Sequence, residues 1–275
     1  SAYLELKNML GDKLNKVESL IEHKLKSDVD LIERMSEHHL KSGGKRLRAL
    51  LTLESAKLTG YKEDNRDINL AACVELIHSA TLLHDDVIDE SKQRRGNPTA
   101  NEKWRNKTSV LVGDFLFSRA FQLMTKYGNQ DTLRILADTS VTISEGEVLE
   151  LSNDKNLEIN EDIYFSVVNA KTASLFSAAS QVGAISAEAS KAEVNALKSF
   201  GTNFGMTFQL IDDAIDYSSN QKILGKNIGD DFKEGKITLP IILAYGRSNN
   251  KEKEFWKRTI SNLTQEQGDF DQALY

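Results

Sequence analysis

Apolar residues recur at intervals of three and four along almost the whole chain, which predicts helices nearly everywhere. In the first segment Leu4, Leu10, Leu14, Val17 and Ile21 make one stripe. Further on, Leu70, Val74, Ile77, Leu82 and Val87 keep a core-facing line that runs into an acidic cluster. No stretch of strict alternation bounded by turns predicts a strand of any length. The chain has only two prolines, Pro98 and Pro240, and neither interrupts a long periodic segment, so long helices are permitted. Turn-forming groups occur at Ser42-Gly43-Gly44, Gly60, Gly96-Asn97-Pro98, Gly128-Asn129 and Ser152-Asn153-Asp154, and between Ser218 and Gly235. They divide the pattern into roughly eight to ten helices. With no low-complexity tract and no Ser/Gly/Pro linker, residues 1–275 read as one all-α domain.

Composition narrows the class. A chain of 275 residues with 40% hydrophobic and 28% charged residues can bury a sizeable core. A net charge of −6 argues against nucleic acid as a partner and against docking on anionic lipid through bulk charge. The single cysteine, Cys73, excludes an internal disulfide framework and, set among Ala71, Ala72 and Val74, reads as a buried structural thiol. The first ten residues carry no basic region followed by an apolar block, and no window is long and apolar enough for a transmembrane segment. A cytoplasmic location is expected.

The candidate chemistry lies in two acidic motifs, Asp85-Asp86-Val87-Ile88-Asp89 and Asp212-Asp213-Ala214-Ile215-Asp216. On a helix, positions i and i+4 share a face about one turn apart, so each motif sets two carboxylates side by side. Alone they repel; a hard divalent cation such as Mg2+, which takes one or two carboxylates together with phosphate and water, would relieve that repulsion. A single acidic run is usually a solvated face. Here each motif follows apolar sequence, Ala80-Thr81-Leu82-Leu83 in one case and Phe208-Gln209-Leu210-Ile211 in the other.

Basic residues accompany both motifs. Gly43-Gly44-Lys45-Arg46-Leu47-Arg48 is predicted to open a helix, where backbone N–H groups favour an anion. Arg94-Arg95 follows the first motif, while Lys171-Thr172 and the stretch from Lys226 to Lys236 bracket the second. Taken together they suggest two anionic groups, one bridged to metal and one held by Lys and Arg alone. His78 stands two helical turns before Asp85 on the same face, where it is either a core histidine or a substrate contact.

In this order, with Val112-Gly113-Asp114-Phe115, Glu145-Gly146-Glu147 and Gly235-Lys236-Ile237-Thr238-Leu239-Pro240, the motifs resemble the trans-prenyl diphosphate synthases, or polyprenyl synthetases, across nearly the whole chain. Within that family the chain is similar in particular to octaprenyl and decaprenyl diphosphate synthases that make quinone side chains. The resemblance implies an all-helical fold around a deep central cavity, a homodimer, and three Mg2+ ions. It implies elongation of an allylic prenyl diphosphate, farnesyl or geranyl diphosphate, by isopentenyl diphosphate. Asp85, Asp89 and Asp212 would hold metal, with Asp86 and Asp216 acting less directly. Arg94, Lys171, Thr172, Gln209, Lys226 and Lys236 would contact the allylic diphosphate. Lys45, Arg48, His78 and Arg95 would bind isopentenyl diphosphate.

The family's chain-length positions, four and five residues before the first motif, hold Thr81 and Ala80, both small, so a growing tail is expected to pass them. Ile77 and Val74 come next on that helix, and Phe115, Phe117, Phe121 and Met124 on a neighbour are candidates for the floor or for plain core. The chain ends at Tyr275, short of the family's usual finish, and one or two terminal helices are expected to be missing. A terpene cyclase would share the metal chemistry but would not need the site of Lys45, Arg48 and Arg95. A non-catalytic partner subunit would lack an intact aspartate motif. A structural helical protein would leave the basic motifs unexplained.

Overall fold

The computed structural model describes residues 2–41, 43–62, 64–218 and 228–274. Its helices, in chain order, are α1 (Ala2–Lys24), α2 (Asp30–Lys41), α3 (Leu47–Leu58), α4 (Arg66–Ile88), α5 (Ala100–Trp104), α6 (Asn106–Tyr127) and α7 (Gln130–Ser152). There follow α8 (Glu161–Val168), α9 (Ser174–Ser186), α10 (Lys191–Asp216), α11 (Asp230–Glu234), α12 (Leu239–Arg247), α13 (Asn250–Trp256) and α14 (Asp269–Ala273). The fourteen α-helices among the described residues exceed the number expected because several are five to nine residues long, too short to show a repeat in the sequence. A π-helical turn, Asn169–Ala173, also separates α8 from α9. Among the described residues, no helix is long and apolar enough to cross a membrane.

The chain packs as two compact units, one made of Ser1–Ser140 and Leu175–Gly201, the other of Val141–Ser174 and Thr202–Tyr275. In the first unit α4 is the central helix and lies against α6, α3 and α1. Buried residues occur all round it, from Leu70 through Ile77 to Leu83, as expected of a helix with partners on every side. The first stripe of α1 begins later than its sequence suggested: Leu10, Leu14, Val17, Ile21 and Leu25 are buried, but Leu4 is 54% exposed. Cys73 is buried, donates to the Ala120 carbonyl at 3.3 Å, and is pushed up to about 12 by burial. It is the structural thiol expected of its neighbours.

The only strands among the described residues are β1 (Gln93–Arg94) and β2 (Asn97–Pro98), paired antiparallel. The two residues between them, Arg95 and Gly96, both have positive φ, 53° and 78°. That is what a two-residue type I′ hairpin demands, and glycine meets it without strain while arginine does not. In the second unit, Leu157, Phe232, Ile241, Tyr245, Trp256 and Ile260 form one cluster. Tyr164, Val168 and Ile242 form another, against which Met206, Leu210 and Ile237 pack.

Candidate active site

In the first unit, α4 carries the first aspartate motif at its C-terminal end. Asp85 and Asp86 lie in the last turn and Asp89 is the C-cap, its N–H donating to the Asp85 carbonyl at 2.8 Å. The three carboxylates have unlike surroundings: Asp85 is partly buried, Asp89 exposed, and Asp86 only 1% exposed. Arg94 of the hairpin donates to Asp86 Oδ1 through Nε at 3.0 Å and Nη2 at 2.8 Å. The middle aspartate is therefore a buried fastener for Arg94. His84, on the same turn, lies 3.1 Å from the Val110 carbonyl and 3.4 Å from Asp114 Oδ1. A Cβ added at Gly113 would stand 2.3 Å from His84 Nε2, which accounts for glycine there.

The hairpin and the start of α3 come together. A Cβ on Gly44 would lie 3.0 Å from Arg95 Nη1, so the loop before α3 passes directly against the Arg95 guanidinium. Lys45 follows in that loop and is exposed. Arg46, the N-cap of α3, is left-handed at φ 49°. Arg48 lies over the Phe176 ring at 4.2 Å, and burial draws its pKa down to about 10, with Glu75 opposing. Arg95 is lowered by burial, then by Arg94 and Arg46. Histidines close to this charge stay neutral. Burial takes His78 well below its ordinary value, and Arg48, His39, Arg94 and Arg95 reinforce the effect. His39 of α2 is drawn down to about 3 by burial, then by Arg94, Arg46 and Arg95.

All four residues expected to bind the second diphosphate, Lys45, Arg48, His78 and Arg95, thus belong to one cationic neighbourhood of the first unit. The sequence named Arg46 only as part of the basic motif before α3, with no role of its own, and did not point to His39 or Glu75. Glu75, 2% exposed, accepts the Ala49 N–H at 3.0 Å and lies 3.6 Å from Arg46 Nη1. Its only sequence signal is position: it lies three residues before His78 on α4 and is charged in an apolar run. Ala80 and Ile77 are fully buried, and the partly buried Thr81 donates its hydroxyl to the His78 carbonyl at 2.9 Å. On α6, Met124 is buried, Phe117 stands 5.4 Å from Phe121, and Arg119 lies over Phe115.

In the second unit, Lys171 and Thr172 sit in the π-helical turn, a distortion that recurs at functional sites. Lys171 Nζ pairs with Glu147 at 2.8 Å and with Glu150. Burial opposes its charge, but Glu150 and Glu147 outweigh burial and raise its pKa. Gly146 admits this turn, since a Cβ there would meet Ala170 at 2.6 Å. Thr172 donates to Gln209 Oε1 at 3.0 Å, Gln209 donates to Asp213 Oδ1 at 2.7 Å, and Tyr164 donates to Asp213 Oδ2 at 2.5 Å. Again the middle aspartate is buried and fastened, here by Gln209 and Tyr164.

Asp212 lies on α10, and Asp216 ends that helix. Asp216 accepts the N–H groups of Asp230 at 3.3 Å and Asp231 at 2.9 Å, capping α11 from outside. Asp231 is raised to about 7 by burial, then by Asp216 and Asp213. Lys236 pairs with Glu234 at 2.9 Å, and Lys226 lies outside the described residues.

Among the described residues, no three His, Cys, Asp or Glu side chains form a ready metal cluster. The donors present are carboxylates, Asp85 with Asp89 on α4 and Asp212 on α10, without histidine or cysteine, while both Asp216 oxygens accept α11 amides. Such a set fits Mg2+, which completes its shell with phosphate oxygens and water, better than a metal caged by protein alone.

Residues 29–275 match the family described as Polyprenyl synthetase. Octaprenyl diphosphate synthase of Escherichia coli is 43% identical over 244 residues, which are 89% of this chain and 75% of that protein. A decaprenyl diphosphate synthase structure from Rhodobacter capsulatus superposes with a TM-score of 0.92 at 47% identity, covering 99% of this chain and 84% of that one. A polyprenyl synthase from Caulobacter crescentus, crystallised with calcium and isoprenyl diphosphate, gives 0.93 at 47% identity, covering 99% and 83%. With that family match and these all-helical relatives, the chain belongs to the polyprenyl synthetase family of trans-prenyltransferases.

Proposed function

We propose that this protein is a Mg2+-dependent prenyltransferase that extends an allylic prenyl diphosphate by repeated head-to-tail condensation with isopentenyl diphosphate. The observation that carries this reading is the cationic neighbourhood of the first unit. Arg46, Arg48, Arg94 and Arg95 gather there with two neutral histidines, and Glu75 and Asp86 are the buried carboxylates that counter them. Such a concentration of positive charge, partly buried at Arg46, Arg48 and Arg94 and exposed at Arg95, calls for a polyanion, and the diphosphate of isopentenyl diphosphate supplies one.

In the mechanism we infer, Lys45, Arg48, His78 and Arg95 hold isopentenyl diphosphate. Neutral His78 offers one N–H donor without adding to the repulsion among the arginines. Asp85, Asp89 and Asp212 would hold three Mg2+ ions, which when bound neutralise the allylic diphosphate and stabilise it as it departs. Asp86 and Asp216 act at one remove, through Arg94 and through the start of α11. Arg94, Lys171, Thr172, Gln209, Lys226 and Lys236 steady the same diphosphate. The double bond of isopentenyl diphosphate attacks the allylic carbocation, and the proton then leaves to the departing diphosphate. No protein nucleophile takes part.

We assign a long all-trans product of about eight to ten isoprene units, about one per helical turn, for quinone side chains. Small side chains at Ala80 and Thr81 support this length, as do the octaprenyl and decaprenyl synthases among the relatives. Farnesyl or geranyl diphosphate is the primer, and the working form is a cytoplasmic homodimer. The test is incubation with farnesyl diphosphate, labelled isopentenyl diphosphate and Mg2+, followed by sizing of the lipid product. A ladder ending near C40–C50 (about eight to ten units) supports the assignment. No incorporation by folded protein would defeat the enzyme reading, and a cyclic hydrocarbon would favour a cyclase.

A further inference from the structure

We propose that Glu75 is a positioning residue for the isopentenyl diphosphate site: from α4 it holds the first turn of α3 and the left-handed Arg46, and so sets where Lys45 and Arg48 stand. The inference rests on the reading of Lys45 and Arg48 as diphosphate ligands.

Three observations converge on Glu75. It accepts the Ala49 N–H at 3.0 Å. The first N–H groups of a helix have no partner within it, and the first internal bond of α3 is from Leu50 to the Arg46 carbonyl at 2.9 Å. Arg46 makes no side-chain cap of its own, so a carboxylate from another helix takes that part. The second Glu75 oxygen lies 3.6 Å from Arg46 Nη1, and Glu18 of α1 stands 3.8 Å from Arg46 Nε.

Arg46 has φ 49°, a left-handed conformation that is strained for a non-glycine residue and persists only when its surroundings hold it. Glu75 is a large part of those surroundings. It is also the carboxylate that raises Arg48 and Arg95 against the effect of burial. Without it, Asp86 would still hold Arg94 and Glu18 would still stand near Arg46, but Arg48 and Arg95 would lose the carboxylate that opposes their burial.

Glu75 lies one helical turn before His78 on α4. The cap thus ties the loop that carries Lys45 to the helix that carries His78, and both sides of the site move as one.

The two roles open to a buried carboxylate here predict opposite results. If Glu75 merely subtracted positive charge, Glu75→Gln would tighten the binding of isopentenyl diphosphate. If it positions, the same change, which keeps an oxygen for Ala49 but releases Arg46, weakens binding. The expected result for Glu75→Gln is a KM for isopentenyl diphosphate raised about tenfold, with the KM for farnesyl diphosphate within about twofold of wild type; tenfold is the low end for residues that orient ligand-holding groups. A KM for isopentenyl diphosphate that is unchanged or lowered, in protein with wild-type helical circular dichroism, overturns the proposal.

Hydrogen exchange gives an arm that does not depend on catalysis. Glu75→Leu is expected to speed exchange at the Ala49 amide at least about tenfold over amides near the middle of α3, as loss of a cap should. Unchanged exchange there also overturns the proposal. Should wild-type protein fail to incorporate isopentenyl diphosphate, the functional reading falls while the exchange measurement still decides whether Glu75 holds the loop.

Discussion

Replacing Asp86 by asparagine keeps the volume and removes the charge at the most buried of the aspartates in the first motif. Arg94 now reaches Asp86 Oδ1 through two N–H groups at 3.0 and 2.8 Å, and the Asp86 side chain is 1% exposed. Breaking a fully buried ion pair from one side costs about 3–5 kcal/mol, chiefly because the abandoned charge stays dry. Arg94 is 27% exposed, however, and recovers part of its hydration. The amide oxygen can still accept one hydrogen bond. We therefore expect a loss of about 2–3 kcal/mol.

The two tryptophans fall in different units, Trp104 in the first and Trp256 in the second. In a Trp256→Phe background, the one remaining tryptophan, Trp104, reports urea unfolding from within the first unit. Asp86→Asn, Arg94→Gln and the double variant complete a cycle that separates the pair from its surroundings. The pair energy should be about 1.5 kcal/mol or more, as for a charge-assisted double hydrogen bond. A coupling below about 0.5 kcal/mol would refute the reasoning, because Arg94 would then not be fastened through Asp86 in solution.

Asp231 titrates in the opposite sense to a paired carboxylate. Its pKa is raised from 3.8 to about 7, so metal-free protein is favoured below about pH 4 and loses that advantage as pH climbs to about 7. Asp231→Asn should flatten this slope and melt above wild type at pH 8 in chelator, and equal melting temperatures there would contradict it. Ala80→Phe should shorten the prenyl product, and an unchanged length would remove the argument from small side chains. Gly113→Ala should gain about 1 kcal/mol of helix propensity yet lose about 1–3 kcal/mol to the contact 2.3 Å from His84 Nε2. A net rise in thermal stability would show that His84 yields without cost.

Much of the fold was readable because it is local. The unbroken apolar line of α4 from Leu70 to Ile77, the aspartates at its end and the Gly-Gly-Lys-Arg start of α3 are all short-range patterns. What escaped is contact between distant positions. Nothing near Glu75 in sequence announces that it caps Ala49, and nothing near Tyr164 announces Asp213. The hairpin at Arg94-Arg95 was hidden because two-residue strands carry no alternation, although Gly96 marked the turn. The π-helical turn at Lys171 had no signal either, since its residues are ordinary helix formers. Lys226 and its neighbours lie outside the described residues.

The two buried middle aspartates carry a lesson for redesign. In each motif the carboxylate next to the proposed metal ligand is turned inward and tied down, by Arg94 in one case and by Gln209 and Tyr164 in the other. Copying only the outer pair, Asp85 and Asp89, onto a foreign helix would transfer the donors without their rear anchorage. The grafted helix end would fray freely, and the work of holding it still would fall on the cation at each encounter. In the native chain that ordering is completed once, when the polypeptide folds, so successive rounds of chain growth start from a helix end already held in place.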